Sequence, residues 1–148
     1  MAYHKTYGLN TTALRFFNVY GQRQRNTAYA GVIALFIEGI LRENREPTIF
    51  GDGTQTRDFI YVKDVVRANL MVAYSPNASG EIFNVATGKP IDINSLTKLI
   101  LKYTERENLN NNYGQKRQGD ILHSYADISK IKKKSCNLSE IFNRGRSF

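Results

Sequence analysis

The chain has 148 residues, 41% hydrophobic and 11% aromatic, which suits one globular domain and excludes a disordered chain. Its one cysteine, Cys136, excludes an intrachain disulfide and suits a reducing compartment, so a cytoplasmic location is expected. The net charge of +8 gathers at residues 129–148, where six Lys and Arg oppose Glu140 alone; this reads as a solvated helix end, with neither nucleic acid nor membrane as partner.

The elements follow in chain order. Residues 11–17 (TTALRFF) are β-branched, apolar and aromatic, and predict a buried strand ending at the turn around Gly21. Residues 22–28 are polar and read as loop. From Tyr29 to Arg42, apolar residues at Val32, Ile33, Phe36, Ile37, Ile40 and Leu41 fall on one face of a helix. Pro47 stops it, and Thr48–Phe50 predict a short strand entering the turn-rich GDGTQ. Phe59–Val62 read as another strand, and Asp64 suits a helix start. That helix carries Val65, Val66, Leu70 and Val72 and ends at Ser75-Pro76. Glu81–Ala86 predict a strand, turned by Gly88-Lys89-Pro90. Asn94 or Ser95 can cap the next helix, which has Leu96, Leu99, Ile100 and Tyr103 on one face. Residues 108–119 read as loop, Ile121–Tyr125 as a short extended segment, and Asp127 as the cap of a helix through Lys134. This order means α/β, with no repeat and no evident linker.

Three segments carry chemistry. Arg15-Phe16-Phe17-Asn18-Val19-Tyr20-Gly21 closes a strand, and ligands of open α/β sheets bind beyond strand carboxyl ends. Asn18 offers a donor and an acceptor there; a polar turn residue is the other reading. In GDGTQTRDFIYV, Arg57 can grip a phosphate bidentately, or pair on the surface with Asp52 or Asp58. In Arg117-Gln118-Gly119-Asp120 the Arg can complete a phosphate clamp and the Asp can accept from sugar hydroxyls; a solvated loop is the alternative. His4, His123 and Cys136 make no metal-ligand spacing, so no metal is expected.

Order and wording together go further. LRFFNVYG followed by a Gln-Arg pair, GDGTQTRDFIYVKDVVRAN, GEIFNVATGKP and RQGDILHSYAD resemble the NAD-dependent epimerase/dehydratase family of extended short-chain dehydrogenases/reductases. The UDP-glucose 4-epimerase branch is nearest, and the likeness covers residues 3 to about 134. It implies the C-terminal part of a Rossmann-like fold, the last parallel strands plus a small substrate-binding subdomain. Residues 1–148 would be the substrate-binding C-terminal portion, with the NAD-binding half outside them. Further implications come residue by residue. Asn18 would contact the diphosphate of a UDP-sugar. Arg57 and Arg117 would bind that diphosphate, and Asp120 the ribose. Thr48 and Phe50 would border the uracil, and Val32 lies on the helix closing the pocket. Phe16 and Phe17 would lie near the nicotinamide of NAD. Ser124 falls beside the sugar, and its small size implies room for an N-acetyl group, hence UDP-GlcNAc as well as UDP-glucose.

In the complete enzyme of that branch, NAD takes hydride from sugar C4, the keto sugar turns over, and hydride returns to the other face. The chemistry needs a Gly-rich strand-to-helix turn and a Tyr-x-x-x-Lys pair. Neither is in the sequence; Tyr3 and Lys5 are two apart. No catalytic residue is therefore assigned, and the expected partner is a separate N-terminal half or a homologous subunit. A 4,6-dehydratase or UDP-glucuronate decarboxylase piece and a non-catalytic assembly module stay open as alternatives. The family's prolines are Gln22 and Gln118 here, so both loops are expected to be less stiff.

Overall fold

The computed structural model describes residues 1–24 and 31–134. In chain order the elements are α1 (Ala2–Tyr7), β1 (Ala13–Phe16), β2 (Asn18–Tyr20), α2 (Val32–Glu43), β3 (Thr48–Phe50), β4 (Thr56–Arg57), β5 (Phe59–Tyr61) and α3 (Val62–Tyr74). A 3-10 turn (Pro76–Ala78) leads to β6 (Ile82–Val85), β7 (Ile91–Asp92), α4 (Ile93–Tyr103), β8 (Asn112–Gly114), β9 (His123–Ser124) and α5 (Ser129–Lys134). The fold is α/β, as the order of elements predicts. Cys136, Arg144 and Arg146 lie outside the described residues, as do Tyr29 and Ala30 at the expected start of α2. No helix among the described residues is long and apolar enough to cross a membrane.

The chain forms two compact units, each assembled from separated segments. Among the described residues, the first takes 1–19, 58–89 and 125–134, and the second the rest of 20–57 and 90–124. Interleaving of this kind leaves no polar linker in the sequence.

In the first unit, β1 and β6 run parallel, with Leu14 opposite Phe83 and Phe16 opposite Val85. Ile60, Val65, Val72, Phe83, Val85 and Ile131 form the centre of its core. The predicted buried strand over 11–17 is shorter and wetter than expected. Ala13 and Leu14 are half-buried and Arg15 and Phe16 exposed, because among the described residues β1 pairs along one edge only. In α3 only every third or fourth residue is buried (Val65, Ala68, Val72), while Val66 and Leu70 face solvent. Asp64 does not cap α3: Tyr61 holds the cap position, with no capping bond from its side chain, and Asp64 pairs with Arg67 at 3.5 Å. Asp127 does open α5, accepting from the Ser129 N–H at 2.8 Å, and that bond holds its carboxyl below the ordinary value.

In the second unit, α2 packs on α4. Ile33, Phe36 and Ile40 on one helix and Ile93, Leu96 and Ile100 on the other are buried. The expected Tyr103 contact is absent from this core, since Tyr103 is 65% exposed. β3 and β8 pair in parallel, Phe50 opposite Gly114. β4 lies between antiparallel β7 and parallel β9. The α4 cap is Asp92, whose carboxylate accepts from the Ser95 hydroxyl at 2.6 Å and the Ser95 N–H at 2.8 Å. These bonds hold the Asp92 carboxyl below its ordinary value. Asn94, predicted as a cap, instead braces the GDG turn. Its N–H donates to the Gly53 carbonyl at 3.2 Å and its amide to the Asp52 carbonyl at 2.9 Å. Gly53 sits at φ 77°, and a Cβ there would collide with the Asn94 side chain.

Candidate functional site

The second unit gathers the charged groups. The turn at Gly51–Gln55 is fixed by Asp52, which accepts from the Thr54 N–H at 3.0 Å and the Thr54 hydroxyl at 2.7 Å. Chiefly through the N–H bond, this lowers the Asp52 carboxyl below its ordinary value. The turn delivers Arg57 onto β4, where strands on both sides hold the backbone. Its side chain is only 17% exposed. Nη1 donates to the Thr56 carbonyl at 2.8 Å, and Nη2 donates to Asp120 Oδ1 at 2.5 Å. The surface pairing with Asp52 or Asp58 that the sequence left open is not formed; the partner comes from 63 residues away.

Asp120 ends a tight turn whose N–H bonds back to the Arg117 carbonyl at 3.3 Å. Arg117 then lies over Phe50, its guanidinium carbon 3.9 Å from the ring centroid, a cation–π arrangement. Phe50 is 37% exposed, and Gln55 fixes its backbone by donating to the Phe50 carbonyl at 2.9 Å. Phe50, Gly51, Asp52, Gln55, Lys116 and Asp120 line one narrow recess. Arg57 and Arg117 are not among its lining residues; each touches one of them, Arg57 through Asp120 and Arg117 over Phe50.

The remaining second-unit candidates sit around this frame. Ser124 is half-buried and directly opposite Arg57 in the β4–β9 register. Thr48 shares β3 with Phe50, two residues away and so on the same face. Val32 opens α2 and is not among the residues lining the recess. A separate cavity of about 750 Å³ is lined by Tyr20, Gly21, Ile33, Ile37 and Leu41.

Three candidates belong to the first unit. Asn18 is half-buried, and its backbone and side-chain N–H groups both donate to the Asp58 carbonyl, at 3.1 and 3.3 Å. Phe17 packs against the core. Phe16 is 47% exposed and lines a cleft of about 590 Å³ with Leu14, Asn69, Val72 and Tyr74. The sequence contains no Gly-rich strand-to-helix turn. These residues therefore do not fit as a seat for the diphosphate of a dinucleotide. No metal-holding group of His, Cys, Asp or Glu occurs among the described residues.

Sequence reasoning missed Asp58. The residue is fully buried. One carboxylate oxygen accepts from the Thr87 N–H and hydroxyl at 2.9 and 2.6 Å; the other accepts from the N–H groups of Gly88 and Ala126 at 2.8 and 3.3 Å. A buried carboxylate is tolerated when so many donors face it. Asp58 ties together three segments of the first unit and carries the carbonyl that holds Asn18. Its one sequence signal is a carboxylate directly preceding the apolar Phe59–Val62 run.

Comparison with known proteins identifies the family. Residues 1–86 match the NAD dependent epimerase/dehydratase family. A candidate UDP-glucose 4-epimerase of Methanocaldococcus jannaschii is 44% identical over 128 residues, 86% of this chain and 40% of that protein. The solved UDP-N-acetylglucosamine 4-epimerase of Methanobrevibacter ruminantium, in complex with UDP-N-acetylmuramic acid, is 42% identical with a TM-score of 0.84, covering 95% of this chain and 46% of that one. The UDP-glucose 4-epimerase of Thermotoga maritima with UDP-glucose is 42% identical at a TM-score of 0.82, covering 89% and 41%. The chain spans less than half the length of these relatives. With the family match covering more than half of its residues, this chain belongs to the NAD dependent epimerase/dehydratase family.

Proposed function

We propose that these 148 residues are the UDP-sugar-binding portion of an NAD-dependent UDP-glucose/UDP-N-acetylglucosamine 4-epimerase. The observation that supports the reading is that Arg57 bonds to Asp120 and Arg117 sits over Phe50, two residues that line the same recess. A diphosphate carries about two negative charges, and two guanidinium groups match them with directional donors. Phe50 and Thr48 border the uracil, Asp120 takes the ribose hydroxyls, and Ser124 lies beside the sugar. Anchoring the remote UDP holds the sugar at the reacting centre. Hydride acceptance is the chemistry NAD supplies when bound. The residues that would seat its diphosphate, and the Tyr-x-x-x-Lys acid/base pair, are not in this sequence.

The test combines binding and turnover. Titration with UDP-glucose is expected to show binding to the chain alone. Incubation with UDP-glucose and NAD is expected to yield UDP-galactose only when a chain supplying the Gly-rich turn and the Tyr-x-x-x-Lys pair is added. Turnover by the chain alone, or absence of UDP-glucose binding, contradicts the proposal.

A further inference from the structure

We infer that His4 is a latch: its ring holds α1 against the turn that leads into β6, and α1 docks and releases as one piece with that ring. The inference stands apart from the nucleotide-site reading. The latch lies at the amino ends of the parallel pair β1 and β6, whereas Asn18 lies beyond the carboxyl end of β1.

α1 has six residues and buries none of them. A helix this short is not stable in water without tertiary contacts. His4 is the one residue of α1 that is not exposed. Tyr3 and Tyr7 pack on each other, with ring centroids 5.8 Å apart, and face solvent. The His4 ring sits instead against Gly80, which has φ 75°. A Cβ at residue 80 would stand 2.6 Å from His4 Nε2 and 2.7 Å from its Cδ2, so the slot exists because that residue has no side chain. Gly80 is itself pinned, its N–H donating to the Thr11 carbonyl at 2.8 Å.

The other edge of the ring is hydrogen-bonded. Nδ1 lies 2.9 Å from the Leu9 carbonyl oxygen and 3.3 Å from the Ser79 hydroxyl oxygen. A carbonyl only accepts, so Nδ1 carries the proton, and neutral His4 is the Nδ1–H tautomer. The Ser79 hydroxyl donates to Asn10 Oδ1 at 2.9 Å, which leaves a lone pair on Ser79 to face Nδ1. Each proton from His4 through Ser79 to Asn10 then has an acceptor. The same assignment excludes a nucleophile and its base, since Nδ1 has no free lone pair to take the Ser79 proton. Asn10 and Ser79 also line the cleft that Leu14 and Phe16 of β1 border. The closed latch therefore fixes two of the polar groups of that cleft.

Amide hydrogen exchange of the whole chain tests this at Gly8, whose N–H donates to the His4 carbonyl at 3.0 Å. H4A is expected to speed exchange at Gly8 about tenfold or more while leaving the middle of α3 unmoved. G80A is expected to speed Gly8 to a similar degree by filling the slot, and adding H4A to G80A to speed it no further. H4N keeps a side-chain N–H near the place of Nδ1 and is expected to stay within about threefold of wild type; H4Q carries its N–H near the place of Nε2 and is expected to behave as H4A. Nitrogen NMR of wild type in alkaline buffer is expected to show the proton on Nδ1 of His4 and a bare Nε2. Unchanged Gly8 exchange in H4A overturns the latch, as does a Gly8 exchange in G80A that H4A raises further. A proton found on Nε2, or H4N exchanging as fast as H4A, overturns it as well.

Discussion

Ser124 stands opposite Arg57 in parallel register, and in the proposed reading it lies beside the sugar. Ser124→Tyr puts a ring there. The expected outcome is loss of UDP-GlcNAc binding by tenfold or more, with UDP-glucose binding reduced less than about threefold, since overpacking costs about 1–3 kcal/mol where space is already taken. Competition titration with the two sugar nucleotides checks it, and equal losses contradict a sugar-side location. At this scale Phe50, Arg57, Arg117 and Asp120 were legible only through family wording. Taken singly, each Arg reads as an ordinary surface cation, because the contacts that single it out come from a partner 63 residues away for Arg57 and from Phe50 for Arg117. Asp58 was illegible for a related reason. Its three main-chain N–H donors sit on Thr87, Gly88 and Ala126, and only the folded chain brings them to one carboxylate.

Helices were easier to read than strands. The 3.6-residue spacing places α2, α3 and α4 to within a few residues. The two-residue strands β4 and β7 are too short for any alternation to show, and β8 hides in an Asn-rich stretch. Caps were misjudged at α3 and α4 because the side chain that can cap is not the one the turn leaves free: Asn94 is used on the GDG turn and Asp92 takes its place. The last helix shows how charge docks an element. α5 lies against β6, with Lys130 over the Phe83 ring at 5.4 Å and both Lys130 and Lys134 on Glu81. Hydrogen bonds from Lys130 and then Lys134 pull the Glu81 carboxyl from 4.5 to about 2. A carboxyl depressed on folding contributes stability that is present above its unfolded value and lost as pH falls through its folded value. Wild type is therefore expected to lose stability between pH 4.5 and about 2 more steeply than Glu81→Gln. Urea denaturation midpoints across that window check it; parallel curves for the two proteins contradict the docking role.

Across the molecule, composition and element order announce α/β and a globular chain, and both hold. Division into two interleaved units could not be read, because each unit draws on segments scattered along the sequence and no composition shift marks the crossings. The first unit leaves Leu9, Phe16, Leu70 and Tyr74 exposed, and the second carries the charged recess. Phosphate affinity should come from two arginines acting on one ligand, and uridine affinity should not depend on them. The most direct test is titration of UDP and uridine against wild type, Arg57→Ala, Arg117→Ala and the double variant. The account predicts a loss of about tenfold or more in UDP affinity for each single variant, little change for uridine, and a double variant that departs from additivity. Loss confined to one arginine, or equal losses for UDP and uridine, would contradict it.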